Sequence, residues 1–118
     1  MQIQKIKSSE IVRVKSNKVE IKDTQSALDF IMTVSFEANS NQIIIDEAMI
    51  AEEFFDLKTG LLGDAFQKFI TYNLRLAIIG NFAKYNSQSL NDYILESNKG
   101  NSIFFVETEE QAIQKLED

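Results

Sequence analysis

The chain has 118 residues, of which 44% are hydrophobic and 25% charged; 18 Asp and Glu against 12 Lys and Arg leave a net charge of −6. With neither Cys nor His, it lacks disulfides, thiolate nucleophiles, histidine general bases and the usual zinc ligand sets. The acidic balance, with basic residues scattered and no aromatic platform between them, argues against a nucleic-acid partner, and no apolar run approaches the roughly 20 residues of a membrane span.

Met1 to Lys7 alternates polar and apolar residues, unlike a secretory signal, so a cytoplasmic location is expected. One domain over residues 1–118 is expected from the length. Ile3, Ile6, Ile11, Val12, Val14, Val19 and Ile21 predict two or three short strands, an opening antiparallel meander with turns at Ser8-Ser9 and Ser16-Asn17. Lys5, Lys7, Arg13 and Lys15 place charge on these strands against edge-to-edge pairing, and an exposed edge leaves room for a homodimer. Asp23 suits the cap of a first helix with Ala27, Leu28, Ile31, Met32 and Val34 or Ser35 on one face, ending near Asn39 to Asn41. Ile43 to Ile45 is a continuous apolar run, as in a strand covered on both faces at the centre of a sheet.

Phe54-Phe55-Asp56-Leu57-Lys58-Thr59-Gly60 leads into a second helix with Leu62, Ala65, Phe66, Phe69 and Ile70 as its apolar stripe. Leu74 to Gly80 predicts a further buried strand. A third helix starts near Ser87 or Ser89, with Ser89 and Asp92 spaced as a capping box and Gly100 as a left-handed stop. Ile103 to Val106 predicts the last strand, and Thr108 with Gln111 starts a terminal helix with the stripe Ala112, Ile113 and Leu116. Strands alternating with helices after a meander predict an α/β fold: a mixed sheet with parallel later strands and about four helices.

Two loops follow the central strands at the edge where open α/β sheets bind ligands. In the first, Thr59 is a helix-capping hydroxyl and also a candidate modification site, since a phosphate there meets the positive end of a helix. Gly60 and Gly63 suit close helix-on-sheet packing. Asp46, Asn81, Lys84, Tyr85 and Ser87 form the candidate ligand rim beside Asp56, Lys58, Thr59 and Gly60. No phosphate-loop spacing, metal constellation or catalytic set occurs, so neither metal nor cofactor is expected. The readings left open are a protein-interaction module, a small-ligand or nucleotide-binding domain using the two loops, and an enzyme of unspecified reaction.

The element order and the segment Asp56-Leu57-Lys58-Thr59-Gly60-Leu61 resemble the STAS domain of sulfate transporter tails and anti-sigma-factor antagonists. In the antagonists this junction reads Asp-Ser-Ser-Gly-Leu and its second Ser is phosphorylated. Thr59 falls on that acceptor, Gly60 on the Gly and Asp56 near the Asp, with one extra residue between Asp and acceptor. Phe54 to Gly60 and Glu96-Ser97-Asn98-Lys99-Gly100 are also similar to segments of a family of small bacterial domains without assigned activity. The resemblance implies a STAS-like fold and a non-enzymatic regulatory module that binds a protein partner through Asp56, Lys58, Thr59 and Gly60, switched at Thr59.

Overall fold

A computed structural model describes residues 1–6 and 9–118. Lys7 and Ser8, read above as an edge charge and part of the first turn, lie outside the described residues. Five strands, β1 (Gln2–Lys5), β2 (Ile11–Lys15), β3 (Gln42–Asp46), β4 (Arg75–Ile79) and β5 (Ile103–Val106), form one sheet in the order β1-β2-β3-β4-β5. β1 runs antiparallel to β2 and the remaining pairs are parallel. The helices are α1 (Thr24–Ala38), α2 (Leu61–Thr71), α3 (Gln88–Lys99) and α4 (Glu109–Glu117). This is the expected mixed sheet with four helices.

Alternation along each strand divides the apolar side chains between two faces. Val12, Val14, Ile43, Ile45, Leu76, Ile78, Ile103 and Phe105 share the larger core with residues of α1 and α2 and with Leu90 of α3. Ile11, Ile44, Ala77, Phe104 and Val106 pack with Ala112 and Leu116 of α4 on the opposite face. β3 therefore sits at the centre with Ile43, Ile44 and Ile45 all buried, as its continuous apolar run requires.

The caps that start α1 and α4 are those the sequence predicts. The Asp23 carboxylate accepts from the Ser26 N–H at 2.7 Å, and the Thr108 hydroxyl accepts from Gln111 N–H at 3.1 Å. The bonds from Ser26 hold the Asp23 carboxyl below its ordinary value.

Several local expectations are overturned. Val19 to Ile21 forms no third strand; Ile21 makes only an isolated parallel bridge to Ile50, and Val19 is exposed. α1 buries Phe30 rather than Met32 or Ser35, which are exposed. Ile70 is likewise outside the buried stripe of α2. Ser87, not Ser89, caps α3 by accepting from Leu90 N–H at 3.2 Å. Gly100 is extended, at φ −87°, because the chain turns directly into the loop before β5. Arg13 does not guard an edge: it is buried within β2.

The Glu96 to Gly100 segment has a second role beyond ending α3. The Asn98 side-chain amide donates to the Phe105 carbonyl at 3.0 Å and its oxygen accepts from Phe105 N–H at 2.8 Å. The Ser97 hydroxyl donates to the Ile103 carbonyl at 2.6 Å. These two side chains occupy backbone positions on β5 that a sixth strand would use.

Candidate functional site

Between β3 and α2 the chain makes three short 3-10 turns, Glu47–Met49, Glu52–Phe55 and Leu57–Thr59. Phe54 and Phe55 point into the core, which anchors the segment and leaves Asp56, Lys58, Thr59 and Gly60 exposed. The Asp56 carboxylate accepts from Lys58 N–H at 3.2 Å, and the Asp56 carbonyl accepts from Thr59 N–H at 3.1 Å and from the Thr59 hydroxyl at 2.9 Å. An Asx-type turn of this kind is the local conformation an Asp two residues before a free N–H favours.

Thr59 Oγ1 also accepts from the N–H of Leu61, the first residue of α2, at 3.2 Å. Its hydroxyl thus serves the helix start, although the capping position itself is Gly60, with φ +74°. Glycine takes that left-handed φ without the steric cost of a Cβ. A Cβ at either Gly60 or Gly63 would meet nothing within 4 Å, so neither glycine serves close packing as expected.

The second loop, between β4 and α3, is organised by a residue the sequence reading missed. Glu47 has a side chain only 13% exposed and lies across Gly80. Its Oε1 accepts from Asn81 N–H at 2.9 Å and pairs with Lys84 Nζ at 3.1 Å, while Oε2 accepts from the Tyr85 hydroxyl at 2.9 Å. A Cβ on Gly80 would stand 2.6 Å from Glu47 Oε1, which explains why this strand ends in Gly. That Gly was the one signal in the sequence for a side chain crossing the strand end.

Burial, and then the bond from its hydroxyl to the Glu47 carboxylate and that carboxylate's charge, push the Tyr85 phenol well above its ordinary range. Lys84 also lies over the Tyr85 ring, 5.3 Å from its centroid.

Asp56 of the first loop and Tyr85 and Ser87 of the second line one open cleft of about 360 Å³ together with Glu52, Glu53 and Phe55. The Phe55 and Tyr85 rings stack in its wall with centroids 5.0 Å apart. Asp46 does not join this rim. It points to the opposite face of the sheet, where Arg13 Nη2 contacts its two carboxylate oxygens at 3.0 and 2.9 Å and Arg13 Nε bonds Glu109 at 2.8 Å. Among the described residues no group of three His, Cys, Asp or Glu stands where it can hold a metal, and no helix is long and apolar enough to cross a membrane.

No curated protein matches the chain. The structure is similar to the crystal structure of a proposed anti-sigma factor antagonist from Thermotoga maritima, with a TM-score of 0.52 over 99% of this chain and 94% of that one, at 12% sequence identity. At that identity the likeness concerns the fold, which is STAS-like. The model of a domain of unknown function, DUF4180, matches residues 6–116, and the chain belongs to that family.

Proposed function

We propose that the protein is a regulatory interaction module that binds a protein partner through Asp56, Lys58, Thr59 and Gly60, and that phosphorylation of Thr59 switches the contact. The observation that carries this reading is the position of the Thr59 hydroxyl, exposed and bonded at 3.2 Å to the first N–H of α2. Transfer of a phosphoryl group from a nucleoside triphosphate replaces the hydroxyl proton, which ends the bond Thr59 Oγ1 donates to the Asp56 carbonyl at 2.9 Å. The added charge of about −1.5 to −2 sits near the positive end of the α2 dipole and beside the exposed Lys58. It also faces the Asp56 carboxylate, so the turn rearranges at its surface while the buried Phe54 and Phe55 hold its base.

The STAS-like fold supports this reading, because the similar Thermotoga maritima protein is described as a proposed anti-sigma factor antagonist. Phosphopeptide mapping of the protein isolated from its native cells tests the switch. A phosphate on Thr59 is expected, and its absence under all growth conditions would contradict the modification.

A second reading, ligand binding, rests on the cleft between the two loops. Its exposed carboxylates, Glu52, Glu53 and Asp56, repel a nucleotide phosphate and suit a cationic ligand. Thermal-shift titration with a polyamine and with ATP separates the two: stabilisation by the polyamine alone supports the cationic reading, and a flat response to both removes ligand binding.

A further inference from the structure

Gly80 directly follows β4, and its φ lies outside the left-handed region that Gly60 occupies. Backbone freedom therefore does not explain it; space does. The Cγ, Cδ and Oε1 atoms of Glu47 pass 2.8, 2.7 and 2.6 Å from where its Cβ would stand. The carboxylate that crosses there directs its bonds to the far loop. Its partners, Asn81 N–H, Lys84 Nζ and the Tyr85 hydroxyl, all belong to the loop after β4, whereas Glu47 itself begins the segment that leads to Asp56. A carboxylate only 13% exposed is costly without such partners, so the contact is either made or, with the carboxylate turned out to water, lost. The rim thus contains a latch with two discrete arrangements.

Tyr85 carries the latch back to the first loop. With its hydroxyl held by Glu47, its ring stacks on Phe55, 5.0 Å between centroids and 21° between planes. Phe55 also packs on Phe82 of the same loop, at 5.8 Å. Asp56 is the next residue, and its carbonyl accepts from both the N–H and the hydroxyl of Thr59. The contacts are therefore continuous from the Glu47 carboxylate through the Tyr85 phenol, the ring stack and one peptide to the Thr59 turn.

We infer that Glu47 is a positioning residue for that turn: it clasps Tyr85 against Phe55, so that opening the latch alters the Thr59 turn and a change at Thr59 loosens the latch. Packed side chains and hydrogen bonds with two discrete arrangements carry coupling of this kind, and linkage makes its two directions equal in free energy. Phe55 stays in the core throughout; what changes is the angle at which its ring meets Tyr85. The inference deepens the switch proposed above and rests on it for its use: a phosphate on Thr59 alters the second loop, with the exposed Lys84, together with the first.

Two-dimensional amide NMR spectra of the full chain test the coupling. Glu47→Ala opens the latch, and the Thr59 and Leu61 signals are expected to shift while those of Phe66 in α2 and Phe104 in β5 keep their positions. Tyr85→Phe retains the ring, loses the bond to Glu47, and is expected to shift the same two signals by less. Glu47→Gln is the rescue. Its amide still accepts from Asn81 N–H and can donate to the Tyr85 oxygen, so Thr59 and Leu61 should return to their wild-type positions. In the reverse direction, Thr59→Glu is expected to shift the Asn81 amide, on the far side of the latch. Thr59 and Leu61 signals that ignore Glu47→Ala, or that move as far in Glu47→Gln, would overturn the inference, as would shifts spread evenly through α2 and β5. Should Glu47→Ala fail to fold, Tyr85→Phe and Thr59→Glu decide the matter by the same signals. Phosphopeptide mapping keeps the two claims apart: coupled signals without phosphate on Thr59 remove the switch alone, and phosphate without coupling removes the latch alone.

Discussion

Glu47 accepts from Asn81 N–H and the Tyr85 hydroxyl and pairs with Lys84, so one carboxylate links the end of β3 to the loop after β4. Truncating it leaves a half-buried phenol and a backbone N–H without a partner, and Glu47→Ala is expected to cost about 2 kcal/mol in urea denaturation. Gly80→Ala displaces the same carboxylate by steric contact at 2.6 Å. It should therefore destabilise on its own yet add little to Glu47→Ala, a coupling the double-mutant cycle measures. Tyr85 gives a pH signature. Its phenol stays protonated in the folded protein above the ordinary value of 10.0, while the unfolded chain ionises there. The folded state then holds the extra proton, so its stability, complete below pH 10, falls as pH rises through the alkaline range. Tyr85→Phe should flatten that fall in a series of melting curves. Tyr93, also raised by burial, should contribute a smaller part that Tyr93→Phe reveals. Neither Glu47 nor the partners of Arg13 were legible in the sequence. Their contacts join residues 33 to 96 positions apart, and no local pattern of charge or hydropathy records such pairings. The helix-serving hydroxyl of Thr59 was legible, because a hydroxyl before a Gly and an apolar stripe acts on an N–H two residues away, whereas the turn that the Asp56 carboxylate makes with Lys58 N–H was not read.

At the scale of elements, side chains stand in for backbone where the sheet would otherwise end unpaired. Asn98 satisfies both the N–H and the C=O of Phe105, because its amide carries an acceptor and a donor side by side. Asn98→Ala should destabilise by about 2 kcal/mol, measured by urea denaturation, and raise light scattering as the β5 edge opens. Asn98→Asp keeps the acceptor, loses the donor and should fall between. The segment containing Asn98 could be picked out in the sequence as a helix stop, but its lateral bonds could not, since they depend on α3 lying beside β5. Strands and helices were recovered where pattern and cap agreed. The triple Ile of β3, Asp23 before α1 and Thr108 before α4 each combine an apolar stripe with a terminus signal. Where the signals were ambiguous, tertiary contacts decided: Ser87 rather than Ser89 starts α3 because the preceding turn, ending at the left-handed Asn86, delivers the chain there. Val19 and Ile21 alternate like a strand, yet among the described residues Ile21 bridges only Ile50.

Across the molecule, the second face of the sheet is held by α4 and by the buried Arg13. Arg13, 7% exposed, binds Asp46 of β3 and Glu109 of α4, whose side chains keep 41% and 47% of their surface. The asymmetry predicts unequal costs. Arg13→Met removes the buried charge and leaves two carboxylates that water can reach, so the loss should stay near 1 kcal/mol. Asp46→Asn with Glu109→Gln strands the guanidinium inside the sheet and should cost about 3 kcal/mol, both read from denaturant midpoints. With Asp46 engaged on that face, the recognition surface proposed above is the rim where Asp56 to Gly60 stand beside the cleft lined by Asp56, Tyr85 and Ser87. The most direct measurement of the proposed regulatory contact is affinity capture from native-host lysate with wild type, Thr59→Ser and Thr59→Glu proteins of matched melting temperature. The interaction-module account predicts a protein partner retained by wild type and Thr59→Ser and lost, by about tenfold or more in affinity, from Thr59→Glu. Identical or empty captures from all three would contradict it, leaving Thr59 as a hydroxyl that serves only the start of α2.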